Sequence, residues 1–140
     1  MKKTILPLIV LITLITCLFC GCKNNSVQNE NPDSSSSFFT TDLGEGKNSF
    51  VFVVSDADGN QKAFNISTNK EIVGDALKEH NLISGEEGDF GLYVKTVDGK
   101  TYDYNKDGKY WAFYINGEYA TTGVDKTKIN TSDSYMFKVE

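Results

Sequence analysis

The chain has 140 residues, a formal net charge of -5, and lysine for every one of its 14 basic residues. Lacking the guanidinium fork and carrying an acidic balance, it is poorly suited to capturing phosphates or guanine edges, so nucleic acid is not an expected partner. Its three cysteines, Cys17, Cys20 and Cys22, all precede the region expected to fold, which leaves that region without a disulfide or a thiolate metal site.

The N-terminus reads as an export address. Lys2 and Lys3 precede an apolar run from Ile5 to Phe19, and the small Gly21 stands directly before Cys22. Basic end, apolar centre and small residue at the cut is the order of a secretory signal. Phe19-Cys20-Gly21-Cys22 resembles a bacterial lipobox, which implies cleavage after residue 21 and acylation of Cys22. Residues 1–21 are then a lipoprotein signal peptide, and the protein is expected at the cell membrane, anchored through lipid (a palmitate-type chain among its acyl groups) on the extracytoplasmic face. Residues 22–47, with four consecutive serines and few apolar side chains, cannot offset their ordering entropy and are expected to form a disordered tether.

The folded domain is expected over 48–140. Ser49 to Val54 is apolar on both alternating faces, the mark of a central strand. Asp58-Gly59 supplies a hairpin turn, and Gln61 to Ile66 returns. Thr68 and Glu71 have capping-box spacing, which predicts a helix just after them. Ile72, Val73, Ala76 and Leu77 form its apolar stripe, and it should end near Asn81.

SGEEGD (84–89) reads as a loop. FGLYVKTV and KTYDY flank Asp98-Gly99 as a second hairpin. Tyr110 to Ile115 predicts a strand, Asn116-Gly117 a turn, Glu118 to Thr121 a return strand, and Ser134 to Val139 a closing strand with Tyr135, Phe137 and Val139 on one face. The order predicts an α+β fold, a mixed sheet with hairpins and one packed helix, of which a β-grasp-like arrangement is the simplest version.

Catalytic chemistry finds little support. Asp103, Asn105, Asp107 and Gly108 imitate the start of an EF-hand loop, but the position that should hold a bidentate glutamate is Tyr114, so the segment reads as a turn and no metal site is expected. His80 is the sole histidine and has no nucleophile or second ligand near it in sequence, so no catalytic residue is assigned and the protein is not expected to be an enzyme. The remaining concentration of chemistry is YWAFYINGEYATTG (110–123), which holds the only tryptophan. Tyrosine and tryptophan offer large contact area at low entropic cost, which suits binding as well as sheet packing.

These segments resemble one family. SFVFVVSDADG, IVGDALKEHNL, FGLYVKTVDG and above all YWAFYINGEYATTGVD, in which Trp111, Tyr114, Asn116, Gly117, Tyr119 and Gly123 match the pattern, are similar to the transcobalamin-like C-terminal domain, DUF4430. In vitamin B12 carriers of that kind the small domain closes over cobalamin together with a large helical domain. The resemblance implies a ligand-binding module with Tyr110, Trp111, Tyr114, Asn116, Gly117 and Tyr119 as site residues. It implies no cofactor; cobalamin is a possible ligand, and another soluble small molecule or a partner protein would serve equally. The other reading is a non-catalytic module that presents the same surface to a protein or an envelope glycan. The Gly-Asp usual after the family's last loop is replaced here by Asn130 to Ser134.

Overall fold

The computed structural model describes residues 40–140. The expected signal peptide, Cys22 and most of the stretch expected to be a tether lie outside the described residues. Ser49 to Val54 sits inside strand β2 (Asn48–Ser55), and the Asp58-Gly59 turn leads into β3 (Gln61–Thr68), paired antiparallel from Asn48↔Thr68 to Ser55↔Gln61. β1 (Thr40–Leu43) runs parallel to β3 along the sheet edge, so order begins inside the stretch expected to be tether. The cause is local: Asn65 Nδ2 donates to Asp42 Oδ1 at 2.7 Å, and Leu43 packs on the core. Gly46 lies so close to Thr68 that any side chain there would begin 2.2 Å from the Thr68 carbonyl oxygen.

Helix α1 (Val73–Glu79) follows, without the expected capping box. Thr68 belongs to β3, and its hydroxyl donates instead to Glu79 Oε2 at 2.8 Å while accepting from the Lys70 N–H. The orphan donors of the first turn are met by a distant loop: Val73 N–H bonds the Thr127 carbonyl and Gly74 N–H the Val124 carbonyl, each at 2.9 Å. Sequence spacing could not show that partner. The helix ends where expected, with Asn81 in the left-handed region at φ 55 and Leu82 N–H returning to the Leu77 carbonyl.

SGEEGD is not a loop. Ile83–Gly88 forms β4, antiparallel to β5 (Gly91–Val97), with a register shift between Ser84 and Gly85. Asp98 and Gly99, at φ 44 and 77, turn β5 into the short β6 (Lys100–Thr101). After the one-turn helix α2 (Tyr104–Asp107) come β7 (Trp111–Ile115), β8 (Glu118–Tyr119) and β9 (Ser134–Val139). The α+β class is as expected. Among the described residues, however, there are two sheets rather than one, a six-stranded sheet in the order β1-β3-β2-β9-β7-β8 and a three-stranded β4-β5-β6. The return strand also stops at Tyr119, short of Thr121.

The two parallel neighbours β2 and β9 carry the centre of the core. Phe52, Tyr135 and Ile66 are fully buried with Val73, Ala76 and Leu77 of α1. Phe113 stacks on Tyr135 and tilts against Phe137, and Val94 and Val97 of β5 join the same cluster. Both sheets therefore share one core.

Ion pairs tie the sheets at the far end of β5. Lys62 Nζ meets Asp98 at 2.9 Å, and Lys100 reaches Asp56. The Asp56 carboxylate, 8% exposed, also accepts from the N–H groups of Asp58 and Asn60. Lys100 first, and then the Asn60 and Asp58 donors, hold its pKa down at about 2 against an ordinary 3.8. Its stabilisation is therefore complete above 3.8 and lost as pH falls toward 2. Asp56→Asn is expected to be less stable at neutral pH and to lose less further stability than the parent through that window, as read by urea midpoints taken down the pH scale. Parallel curves for the two proteins would refute this.

Candidate functional site

A cleft of about 590 Å³ opens beside β7, within the few hundred to a thousand Å³ usual for small-molecule sites. One wall is the arm formed by the β4–β5 turn, Gly88 to Val94. The other is the segment Tyr119 to Val124 after β8, and Trp111, Phe113 and Phe137 lie at its base. The cleft exists because β8 stops early. With only Tyr114↔Tyr119 and Ile115↔Glu118 paired, the chain leaves the sheet after Ala120, whose N–H bonds the Phe113 carbonyl at 2.9 Å, and swings out to cap α1, so the edge of β7 before Phe113 is not paired by β8.

Trp111 is 4% exposed and sits edge-on to Tyr102 at 5.4 Å, its indole N–H donating to the Lys100 carbonyl at 3.1 Å. It thus joins the six-stranded sheet to the three-stranded one and presents the rest of its ring to the cleft. Tyr110 and Tyr119 stand on the rim. The neighbouring Tyr119 hydroxyl, with burial, pushes the Tyr110 phenol up, so it stays a neutral hydrogen-bonding group at physiological pH.

The other sequence-selected residues lie elsewhere. Tyr114 does not line the cleft: its hydroxyl donates to Glu140 Oε1 at 2.8 Å and its ring meets that of its cross-strand partner Tyr119 edge-on. The Glu140 carboxylate raises the Tyr114 pKa, and Lys138 and the Tyr114 hydroxyl lower that of Glu140. Asn116 and Gly117, at φ 52 and 82, build the type I′ turn. The Asn116 amide also ties that turn to the closing strand, donating to Asp133 Oδ1 and accepting from the Ser134 N–H, both at 2.9 Å.

The arm was missed as part of a site. Phe90, at its tip, is 92% exposed, and Tyr93 on the same wall is 40% exposed. The available signal was Phe90 between Gly88-Asp89 and Gly91, a bulky apolar residue inside turn chemistry, which a strand reading absorbed. Gly85 supports the arm: a side chain there would begin 2.0 Å from the Tyr93 carbonyl oxygen.

The motif at Asp103 to Gly108 forms α2. Asp103 accepts from the Asn105 N–H, Asp107 accepts from the Asp103 N–H, and Gly108 closes the turn at φ 63. Asp103 also pairs with Lys95, which lowers its pKa. His80 packs its ring against Gly44 with a buried Nε2 that lacks a partner among the described residues. Among those residues no group of three or more His, Cys, Asp or Glu side chains is placed to hold a metal ion.

The family described as "Domain of unknown function (DUF4430)" matches residues 71–140, from α1 through the cleft to the closing strand. No curated protein matches the chain. A crystal structure from Ruminococcus gnavus, of a protein provisionally described as metal binding, is 28% identical with a TM-score of 0.63, covering 67% of this chain and 97% of its own. Haptocorrin in complex with Cbi shares the fold at 17% identity and a TM-score of 0.51, covering 70% of this chain and 26% of haptocorrin. The chain thus corresponds to about a quarter of that protein.

Proposed function

The chain belongs to the DUF4430 family, and from that premise we propose that its domain is a non-catalytic module that binds a soluble organic ligand in the cleft between the β4–β5 arm and Tyr119 to Val124. The observation that carries this reading is the cleft itself. It joins an aromatic base of Trp111, Phe113 and Phe137 to an arm whose tip, Phe90, is 92% exposed. A large apolar side chain held in water at the mouth of an aromatic cleft is suited to cover a ligand. The fold shared with haptocorrin is compatible with it. The R. gnavus description points to a metal, but a lining whose single carboxylate among the described residues is Asp89 fits an organic body better than a bare ion.

Cobalamin is the ligand to test first. A corrinoid exceeds this cleft, so the domain alone would cover one side of it and a second chain or domain would complete the clamp. Titration of the purified protein with cobalamin, followed by absorbance and calorimetry, is expected to saturate at micromolar concentrations. Phe90→Ala is expected to weaken binding by about 1 kcal/mol, roughly fivefold, with the melting temperature unchanged. No saturable signal at high micromolar cobalamin would remove cobalamin as the ligand.

A protein partner that contacts the same surface is the second reading, favoured by Phe90, 92% exposed at the tip of the arm. In either case we propose that Cys22 carries the lipid and holds the domain outside the cytoplasm. Among the described residues no helix is long and apolar enough to cross a membrane, so the anchor rests on the N-terminal signal. Cys22→Ala is expected to abolish labelling by a fatty-acid analogue in cells, and persistent labelling would refute the assignment.

A further inference from the structure

The charges around the cleft are one-sided. Asp89 lines it, and no lysine does. Behind two of its lining glycines lies a second carboxylate: a side chain at Gly123 would begin 2.5 Å from Asp125 Oδ1, and one at Gly91 would begin 2.7 Å from Asp125 Oδ2. Asp125 Oδ1 is buried and has no hydrogen-bond partner among the described residues. Neither Asp89 nor Asp125 takes part in the ion pairs formed there. The adjacent ammonium, Lys126 Nζ, is directed instead to the Phe90 carbonyl at 3.2 Å.

Lys95 is a further cation beside the cleft wall, 5.8 Å from the Tyr93 ring. It is offset by Glu86 at 2.8 Å and Asp103 at 3.1 Å. The cleft therefore combines aromatic faces, which carry negative charge density, with two carboxylates outside any ion pair, one of them with an oxygen buried from water.

We infer that the cleft selects an organic cation, a protonated amine on a flat apolar body, seated among Phe90, Tyr93 and Tyr119 with its charge toward Asp89 and Asp125. The two glycines serve this arrangement, because any side chain at Gly91 or Gly123 would push the Asp125 carboxylate away from the cleft wall. Anions are disfavoured by the same field. This rests on the cleft being the ligand site, and not on cobalamin being the ligand.

Three probes with one flat body and different charges test it by calorimetry on the full protein: indole, tryptamine and indole-3-acetate. Tryptamine is expected to bind about tenfold tighter than indole, a preference that shrinks with added salt, and indole-3-acetate is expected to bind weakest. Asp125→Asn should bring the tryptamine-to-indole ratio close to one while leaving indole affinity in place. Because Asp125 packs against two backbone segments, Asp89→Asn on the exposed turn gives a second reading and should reduce the ratio in part. Equal binding of indole and tryptamine, tighter binding of the acetate, or a ratio unchanged in both variants overturns the inference and leaves the cleft as a site. Failure of all three probes to bind removes the cleft reading, and the inference with it.

Discussion

Trp111→Ala is expected to lower the stability of the domain by about 3–5 kcal/mol and to abolish ligand binding together. The indole is 4% exposed and contacts both sheets, through β7 on one side and through Tyr102 and the Lys100 carbonyl on the other. Truncation removes a large buried ring, opens a cavity at the base of the cleft, and leaves that carbonyl without its donor. Since domains of this size have roughly 5–15 kcal/mol in total, about a fifth or more of the stability is at stake. For about 100 residues each kcal/mol shifts the midpoint by roughly 4–8 °C, so a fall of more than about 10 °C should appear in a thermal melt followed by circular dichroism. Trp111→Phe keeps most of the ring and loses the N–H, and should cost about 1–2 kcal/mol. A fall of less than about 1 kcal/mol in the alanine variant would show that Trp111 does not join the sheets as described.

Gly85→Ala is expected to detach the arm. Its new methyl would lie 2.0 Å from the Tyr93 carbonyl oxygen and 2.8 Å from Val94 Cα, backbone atoms that cannot swing aside as a flexible side chain can. The β4–β5 ladder must therefore open around the register shift at Ser84 and Gly85. Overpacking of a well-fitted site costs about 1–3 kcal/mol, and the upper end is expected here. The six-stranded sheet shares no ladder with this hairpin and should persist. Amide exchange should therefore accelerate through Leu92 to Val94 while Phe52 and Phe137 stay protected, and ligand binding should fall with the lost wall. Gly88→Ala is the control, because a side chain there meets only the Gly91 carbonyl oxygen at an ordinary 3.5 Å. Unchanged exchange in Gly85→Ala, or equal effects in the two variants, would refute the account.

Much of the fold was legible because its signals are local. A positive φ at Asn116 and Asp98 is chosen by Asn-Gly and Asp-Gly themselves, and the alternation of Tyr135, Phe137 and Val139 marks a buried strand face wherever the strand lies. The failures share a physical cause. Thr68 and Glu71 have the spacing of a helix start, yet Thr68 is drawn into β3 by its pairing with Asn48, and the helix takes its cap from Val124 and Thr127, more than fifty residues along the chain. SGEEGD has the composition of a loop, but Gly85 is there because the neighbouring strand passes too close for a side chain. Thr40 to Leu43 follows a serine-rich run and still forms a strand, because β3 offers it an open edge.

The candidate site divides the same way. The aromatic segment around Trp111 was visible as composition, and Asn116-Gly117 as a turn. Which rings face a cleft was not, since that depends on where β8 stops and where the Thr121 to Asp125 segment goes next. By itself the sequence determined the α+β class, the hairpin turns and the absence of arginine, all properties carried by neighbouring residues or by composition. Only the tertiary structure decided that Phe90 stands in water beside Trp111's cleft, that Tyr114 turns away to Glu140, and that Asp125 lies unpaired behind two glycines. Those relations join residues distant along the chain, and packing in three dimensions is what brings them together.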